Sequence, residues 1–331
     1  MGLRGTGWHN GAVGRGLGVV AAVAAAVLAF ARPAAGAQLI DRDASGVKLA
    51  VNAKGEALLT YRKAGALERV LVWGAIDARP PQAGTQQVKF HVDYAGGWGK
   101  YRTLYWQHFS NKCARYDGPA LPDLVAACKA PDGTYWAAQE WPQPLPDLGF
   151  TPWLPAQRGQ WLEVSHWNGP VAQLETGMHW VYAGRFQSIF GRLTYDGEPV
   201  YGFGTTNRGA PTDGFGRLVY LDTYDSAYGP GWRRENSFVA HNPSGVFCYG
   251  FYPFDPTKGG YQHPPGETAK RGPGVGSQYR VFAEGPGVTP DVAAIVPGLH
   301  PFDPSNPDDV ELEARAAATI AGWGDKSCRT S

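Results

Sequence analysis

Glycine and proline interrupt this chain too often for it to build long helices. Forty-five glycines and 27 prolines stand among its 331 residues. In a helix interior glycine costs about 1 kcal/mol relative to alanine and proline about 3. Short strands joined by tight turns are what such a chain can form. Aromatic residues make up 13% of the sequence, including 12 tryptophans, and their rings can fill the core between those strands. The expected fold class is therefore all-β: a sandwich-like or irregular β domain with one short C-terminal helix. Sandwich and barrel are not separable without strand order.

Residues 1–37 read as a signal peptide. Arg4 and Arg15 precede an apolar run from Leu17 to Phe30, and Ala35-Gly36-Ala37 has the small-x-small form of a cleavage site. The apolar run is shorter than the ~20 residues that span a bilayer. Cleavage there leaves Gln38 first, and 38–331 reads as a single secreted β-rich domain. The leader holds Arg4, Arg15 and Arg32 and no acid, so its removal takes the formal charge of +1 to a small negative value. That balance offers no clustered basic face for nucleic acid and no polybasic patch for a membrane surface after cleavage.

Four cysteines, Cys113, Cys128, Cys248 and Cys328, remain in an exported chain, and an even count there implies disulfides. The expected pairs are Cys113–Cys128, which closes one loop turning through Asp117-Gly118-Pro119, and Cys248–Cys328, which ties the C-terminal tail to a strand. No C-x2-C spacing is present, and neither a metal nor a cofactor is expected.

Alternating runs mark the strands. Gly46–Val51 and Ala57–Arg62 flank the turn Asn52-Ala53-Lys54-Gly55. Val70–Ile76, Val88–Tyr94, Gln173–Thr176 and Met178–Tyr182 follow. Gly191–Tyr195 and Pro199–Phe203 are joined by Asp196-Gly197, the strongest hairpin signal in the chain because both turn positions need positive φ. Leu218–Tyr224, Gly245–Tyr252 and Gln278–Phe282 complete the set. Between about 100 and 170, tryptophans alternate with Pro142, Pro144, Pro146, Pro152 and Pro155, which predicts a long ordered loop region. Near the C-terminus Asn306 caps a helix, Pro307 suits its first position, and Asp308 and Asp309 sit at its positive end. Val310, Ala314, Ala317 and Ile320 or Ala321 form its expected inward stripe.

Motifs for nucleophile elbows, zinc proteases, phosphate loops and EF-hands are absent. The densest polar and aromatic segment runs from Leu221 to His241. By the period of two, Asp222 and Tyr224 share a strand face. The Gly229-Pro230-Gly231 turn then returns Arg233, Arg234 and Glu235 toward them. Asp222, Tyr224, Asp225, Arg233 and Glu235, with His241 nearby, are thus candidate ligand-binding residues. Arg233 and Arg234 neutralising the acids within a pinned loop is the structural alternative. Trp153, Trp161 and Trp167 form a second candidate, a platform on which sugar rings stack, with simple core packing as its alternative.

Export, aromatic excess and near-neutral charge point first to a binding module for an extracellular or envelope polysaccharide. A glycoside hydrolase or lyase using the Asp and Glu carboxyls is the second expectation. A structural or protein-interaction domain is the third.

Overall fold

The computed structural model describes residues 37–77, 88–142, 160–181, 186–200, 204–205, 211–212, 219–222, 246–251, 279–296, 298, 300, 302–325 and 328. The expected leader, apart from Ala37, lies outside these residues.

Two antiparallel sheets build the first core. One contains β1 (Gln38–Arg42), β6 (Ala114–Arg115), β7 (Leu124–Lys129), β8 (Tyr135–Pro142) and β9 (Gln160–Trp167), in the order β1-β9-β8-β7-β6. The other is a meander of β2 (Ser45–Val51), β3 (Ala57–Lys63), β4 (Ala66–Gly74) and β5 (Phe90–Asp93). Alternation along each strand sends every second side chain between the sheets. Trp136 and Ala138 of β8 and Leu162 and Val164 of β9 meet Val51, Leu59, Tyr61, Val70 and Val72 there. All are fully or almost fully buried.

A second core joins two further sheets. β10 (Gln173–Val181) pairs with β11 (Phe186–Tyr195), and β12 (Glu198–Pro199) and β16 (Val246–Phe251) pair with β11 in turn. β15 (Val219–Asp222), β17 (Tyr279–Ala283) and β18 (Val292–Val296) form a three-stranded sheet with β17 central. Met178, Trp180, Ile189 and Leu193 pack on Val281, Ala283, Val292 and Val296. β13 (Gly204–Thr205) and β14 (Pro211–Thr212) make a small ribbon. The fold is all-β as expected.

Local chemistry accounts for the connections. Asp196 and Gly197 both take positive φ, 51° and 78°, and Tyr195 faces Glu198 across the turn. This is the primed hairpin that an Asp-Gly pair favours. α1 (Trp98–Tyr101) is a single turn, and a 3-10 turn follows at Tyr105–His108. α2 (Pro307–Gly322) starts as expected, with the Asn306 side chain accepting from the Asp308 N–H at 3.1 Å. The Cys113–Cys128 and Cys248–Cys328 disulfides are both present, with Cα separations of 5.5 and 5.8 Å. Among the described residues, no helix is long and apolar enough to cross a membrane.

The structure differs from the sequence reading in two places. The stretch from 100 to 170, expected as loop, supplies β6, β7, β8 and β9. Of the prolines that argued against strands, Pro142 closes β8, and Pro144, Pro146, Pro152 and Pro155 fall in 143–159, outside the described residues. The strands use the proline-free runs on either side. The second difference is the rotation of α2. Ile320 faces inward as expected, but Val310 and Ala314 are exposed and Asp309 and Ala316 are buried. Asp309 sets this rotation: its carboxylate accepts from Asn306 Nδ2 at 2.9 Å and the Asp303 N–H at 2.9 Å, and pairs with His300 Nε2 at 2.9 Å.

Candidate ligand-binding site

The turn between β2 and β3 is built around Asn52. Its Oδ1 accepts from the N–H groups of Lys54 (2.8 Å) and Glu56 (3.1 Å), and Gly55 takes φ of 72° to close the loop. This fold-back turns the Glu56 side chain inward, where it is 3% exposed. An isolated buried carboxylate is costly, and four donors satisfy this one. Lys100 Nζ (2.7 Å) and Tyr101 OH donate to Oε1, and Asn52 Nδ2 (2.7 Å) and Tyr105 OH (3.0 Å) donate to Oε2. Burial alone would raise the Glu56 pKa, but these donors together outweigh it and hold the carboxyl at about 2.

α1 delivers Lys100 and Tyr101 to that carboxylate. The carboxylate of Asp93, at the end of β5, accepts the Lys100 N–H at 3.1 Å and the Ala95 N–H at 2.9 Å. Gly97 is required: a Cβ there would lie 2.7 Å from Tyr105 Cβ. Tyr101 stacks on Tyr105 with centroids 4.0 Å apart. Lys100 Nζ lies 4.1 Å from the Trp73 ring centroid, and Lys54 Nζ lies 4.9 Å from that of Tyr101.

Lys54, Gly55, Glu56, Trp73, Lys100 and Tyr101 line an open cavity of about 500 Å3 with Gly74, Ile76, Asp132 and His166. Asp132 Oδ1 accepts from the Thr134 N–H (3.0 Å) and Oγ1 (2.7 Å), while among the described residues Oδ2 has no donor. These bonds overcome burial and keep the Asp132 carboxyl below its usual range. His166 stacks on Trp136 with centroids 4.0 Å apart. Its Nε2 lies 2.9 Å from Thr134 Oγ1 and its Nδ1 3.1 Å from the Ala75 carbonyl. Burial pushes the His166 pKa down to about 4, so the ring is neutral near pH 7. Nδ1–H then donates to Ala75, and the one hydroxyl hydrogen of Thr134 serves either His166 or Asp132.

Neither carboxyl of the cavity is placed to act as a proton donor near neutral pH. A carboxyl pair that cleaves glycosides needs one member kept protonated near neutral pH. Glu56 and Asp132 are both held ionised, and every strong acceptor direction of Glu56 is in use. Thr134 and His166 stand at nucleophile–base distance, but Thr134 is 8% exposed and does not line the cavity. No cluster of three or more metal-ligating side chains with suitable geometry occurs among the described residues.

The candidates from sequence fall elsewhere. Asp222 lies on β15, with its backbone opposite Arg280. Tyr224, Asp225, Arg233, Glu235, His241 and Trp153 lie outside the described residues. Trp167 is fully buried against Tyr116 and Tyr135, with no face open to a ligand. Trp161 is half-buried, with the Arg42 guanidinium 5.2 Å from its ring centroid. The Glu56 cavity was missed because its parts read as punctuation: Asn52–Gly55 as a turn and Gly96-Gly97 as a strand end. One signal was present, an acid directly between the turn and the apolar run Ala57-Leu58-Leu59.

No protein-family model, curated protein or solved structure matches the chain.

Proposed function

We propose that this chain is a secreted carbohydrate-binding protein and that the Glu56 cavity is where a glycan docks. The observation that carries this reading is the division of labour among the cavity's charges. Glu56 and Lys100 neutralise each other and act as scaffold. Lys54 and Asp132 are exposed at the cavity, one offering an ammonium donor and the other an uncommitted carboxylate oxygen. A donor and an acceptor exposed side by side at one cavity suit a ring that carries several hydroxyls. The two disulfides support the secreted part of the reading, since such bonds persist in oxidising compartments.

Binding without turnover is the expected behaviour, because both carboxyls of the cavity are held ionised. The test is a panel of neutral and acidic polysaccharides in affinity electrophoresis, run beside a reducing-end assay on the same panel. Retardation by at least one polysaccharide with no new reducing ends is the expected outcome. Release of reducing ends would move the reading to a hydrolase, and retardation by none would remove the carbohydrate assignment.

A further inference from the structure

Two hairpin tips, one from each sheet of the first core, meet at the Glu56 cavity. The β2–β3 tip closes where the Asn52 N–H donates to the Glu56 carbonyl at 3.0 Å and the Gly55 N–H to that of Asn52 at 3.2 Å. The β7–β8 tip closes likewise. Its Ala130 N–H donates to the Thr134 carbonyl at 2.8 Å, and its Gly133 N–H to that of Ala130 at 3.0 Å. The tips lie against each other, since a Cβ on Gly55 would stand 3.8 Å from Asp132 Oδ2. Lys54 is exposed on the first tip and Asp132 on the second.

Both charges are placed by local chemistry, and neither is neutralised at the cavity. The Lys54 ammonium stands 4.9 Å from the Tyr101 ring centroid and 5.8 Å from that of Tyr105, with the Tyr101 hydroxyl 3.5 Å away. Ring faces hold a cation without cancelling its formal charge. Among the described residues, no carboxylate forms an ion pair with Lys54, and no lysine or arginine forms one with Asp132. Burial opposes ionisation of Asp132, but its bonds to Thr134 outweigh burial and keep it a carboxylate. The other charged groups of the lining leave this balance unchanged. Glu56 and Lys100 pair with each other at 2.7 Å. Burial pushes the His166 pKa down to about 4, so that ring adds no charge near neutral pH.

A ligand that covers both tips must answer both signs. A neutral hydroxyl that displaces water from an ammonium or a carboxylate restores a hydrogen bond and leaves the charge without a counter-charge. A ligand of a single sign meets one attractive centre and, on the adjoining turn, one repulsive centre, and like charges brought together across an interface are costly. A ligand with a carboxylate for Lys54 and an ammonium for Asp132 satisfies both.

We propose, on the reading that this cavity docks a glycan, that its ligand is a polysaccharide carrying carboxylates and free ammonium groups on neighbouring sugars, with Lys54 selecting the first and Asp132 the second. Uronic acids and unacetylated amino sugars supply that chemistry. Selectivity then lies in the signs of two side chains and moves when either is changed.

Affinity measurements on the intact oxidised protein at about pH 5.5, where Asp132 is ionised, test it. The probes are a polymer alternating uronate with free glucosamine, a polyuronate, a polyglucosamine and a neutral glucan. Wild type should bind the alternating polymer about ten-fold more tightly than each of the others. Asp132→Asn removes the repulsion toward the polyuronate, so that polymer should bind several-fold more tightly while the alternating polymer weakens. Lys54→Gln should do the same for the polyglucosamine. Both side chains are exposed, and an unchanged melting temperature identifies the effect as one on binding. A neutral glucan bound as tightly as the alternating polymer overturns the charge selection, as does the wild-type order of affinities in both variants, and in either case the glycan reading stands. Binding of none of the four polymers overturns it too, and the wider panel above then decides the glycan reading separately.

Discussion

Glu56 shows how one side chain sets a site it does not itself offer to a ligand. Its two oxygens gather Asn52, Lys100, Tyr101 and Tyr105 from three separate stretches of chain. Glu56→Gln keeps the shape and removes the charge, leaving Lys100 without its counter-ion. Breaking one partner of a buried ion pair costs on the order of 3 kcal/mol. Lys100 is partly exposed, so about 2 kcal/mol is expected in chemical unfolding. The Glu56 carboxyl is held low, so its contribution is complete above the ordinary glutamate pKa near 4.5 and is lost as pH falls through about 2. Between pH 5 and 9 the cavity therefore keeps this charge, and ligand affinity should show no titration from Glu56 there. Gly197 acts at the same scale. Its φ of 78° excludes a β-branched residue, and Gly197→Val should lower stability by at least about 1 kcal/mol, read as a drop in melting temperature.

At the scale of elements, β10 and β11 carry an unusual pair. His179 and Ser188 face each other in register, both 0% exposed. Among the described residues, neither His179 nitrogen nor the Ser188 hydroxyl has a hydrogen-bond partner. The His179 ring meets Phe190 edge-on, with centroids 5.2 Å apart and an interplanar angle of 85°. Burial pushes the His179 pKa down to about 4. The unfolded chain therefore takes up a proton between about pH 6.5 and 4 that the folded chain refuses, and stability falls as pH drops through that window. His179→Leu removes the unpartnered nitrogens and one of two buried imidazoles of lowered pKa, leaving His166. The variant should be at least as stable as the wild type at pH 7.5 and should lose less stability on going to pH 5, in urea unfolding at the two values. A loss above about 1 kcal/mol at pH 7.5 would show that His179 has a partner role. Elements were legible in the sequence wherever local chemistry decides them: the Asp196-Gly197 hairpin and the Asn306 cap of α2 needed no tertiary information. The rotation of α2 was not legible, because Asp309 is turned inward by His300 and Asp303 through bonds that no helical periodicity reports. Strands β7 to β9 were hidden by neighbouring prolines, since a proline excludes only its own position and its immediate surroundings.

For the whole molecule, the two disulfides divide the work of closure. Cys113–Cys128 fastens β6 to β7, whose pairing is only two residues long. Cys248–Cys328 joins β16 to the tail beyond α2, beside Phe190, Ala316 and Ile320. The sequence separation of 80 makes the second bond the larger contributor on a chain-entropy account, roughly 4–5 kcal/mol. Cys328→Ser should therefore lower stability more than Cys113→Ser, and peptide mapping without reduction should recover both links. The cysteine pairing and the all-β class could be read from the sequence because they follow from composition and spacing. The cavity could not, because Glu56, Lys100, Asp132 and His166 meet only through the packing of two sheets. On the proposed function, this cavity holds a glycan through Lys54 and Asp132. Isothermal titration of a polysaccharide that retards the oxidised protein, against wild type, Lys54→Ala and Asp132→Asn, tests it most directly. Each variant should weaken binding by ten-fold or more with a melting temperature within a degree or two of wild type, and wild-type affinity in both variants would contradict the account.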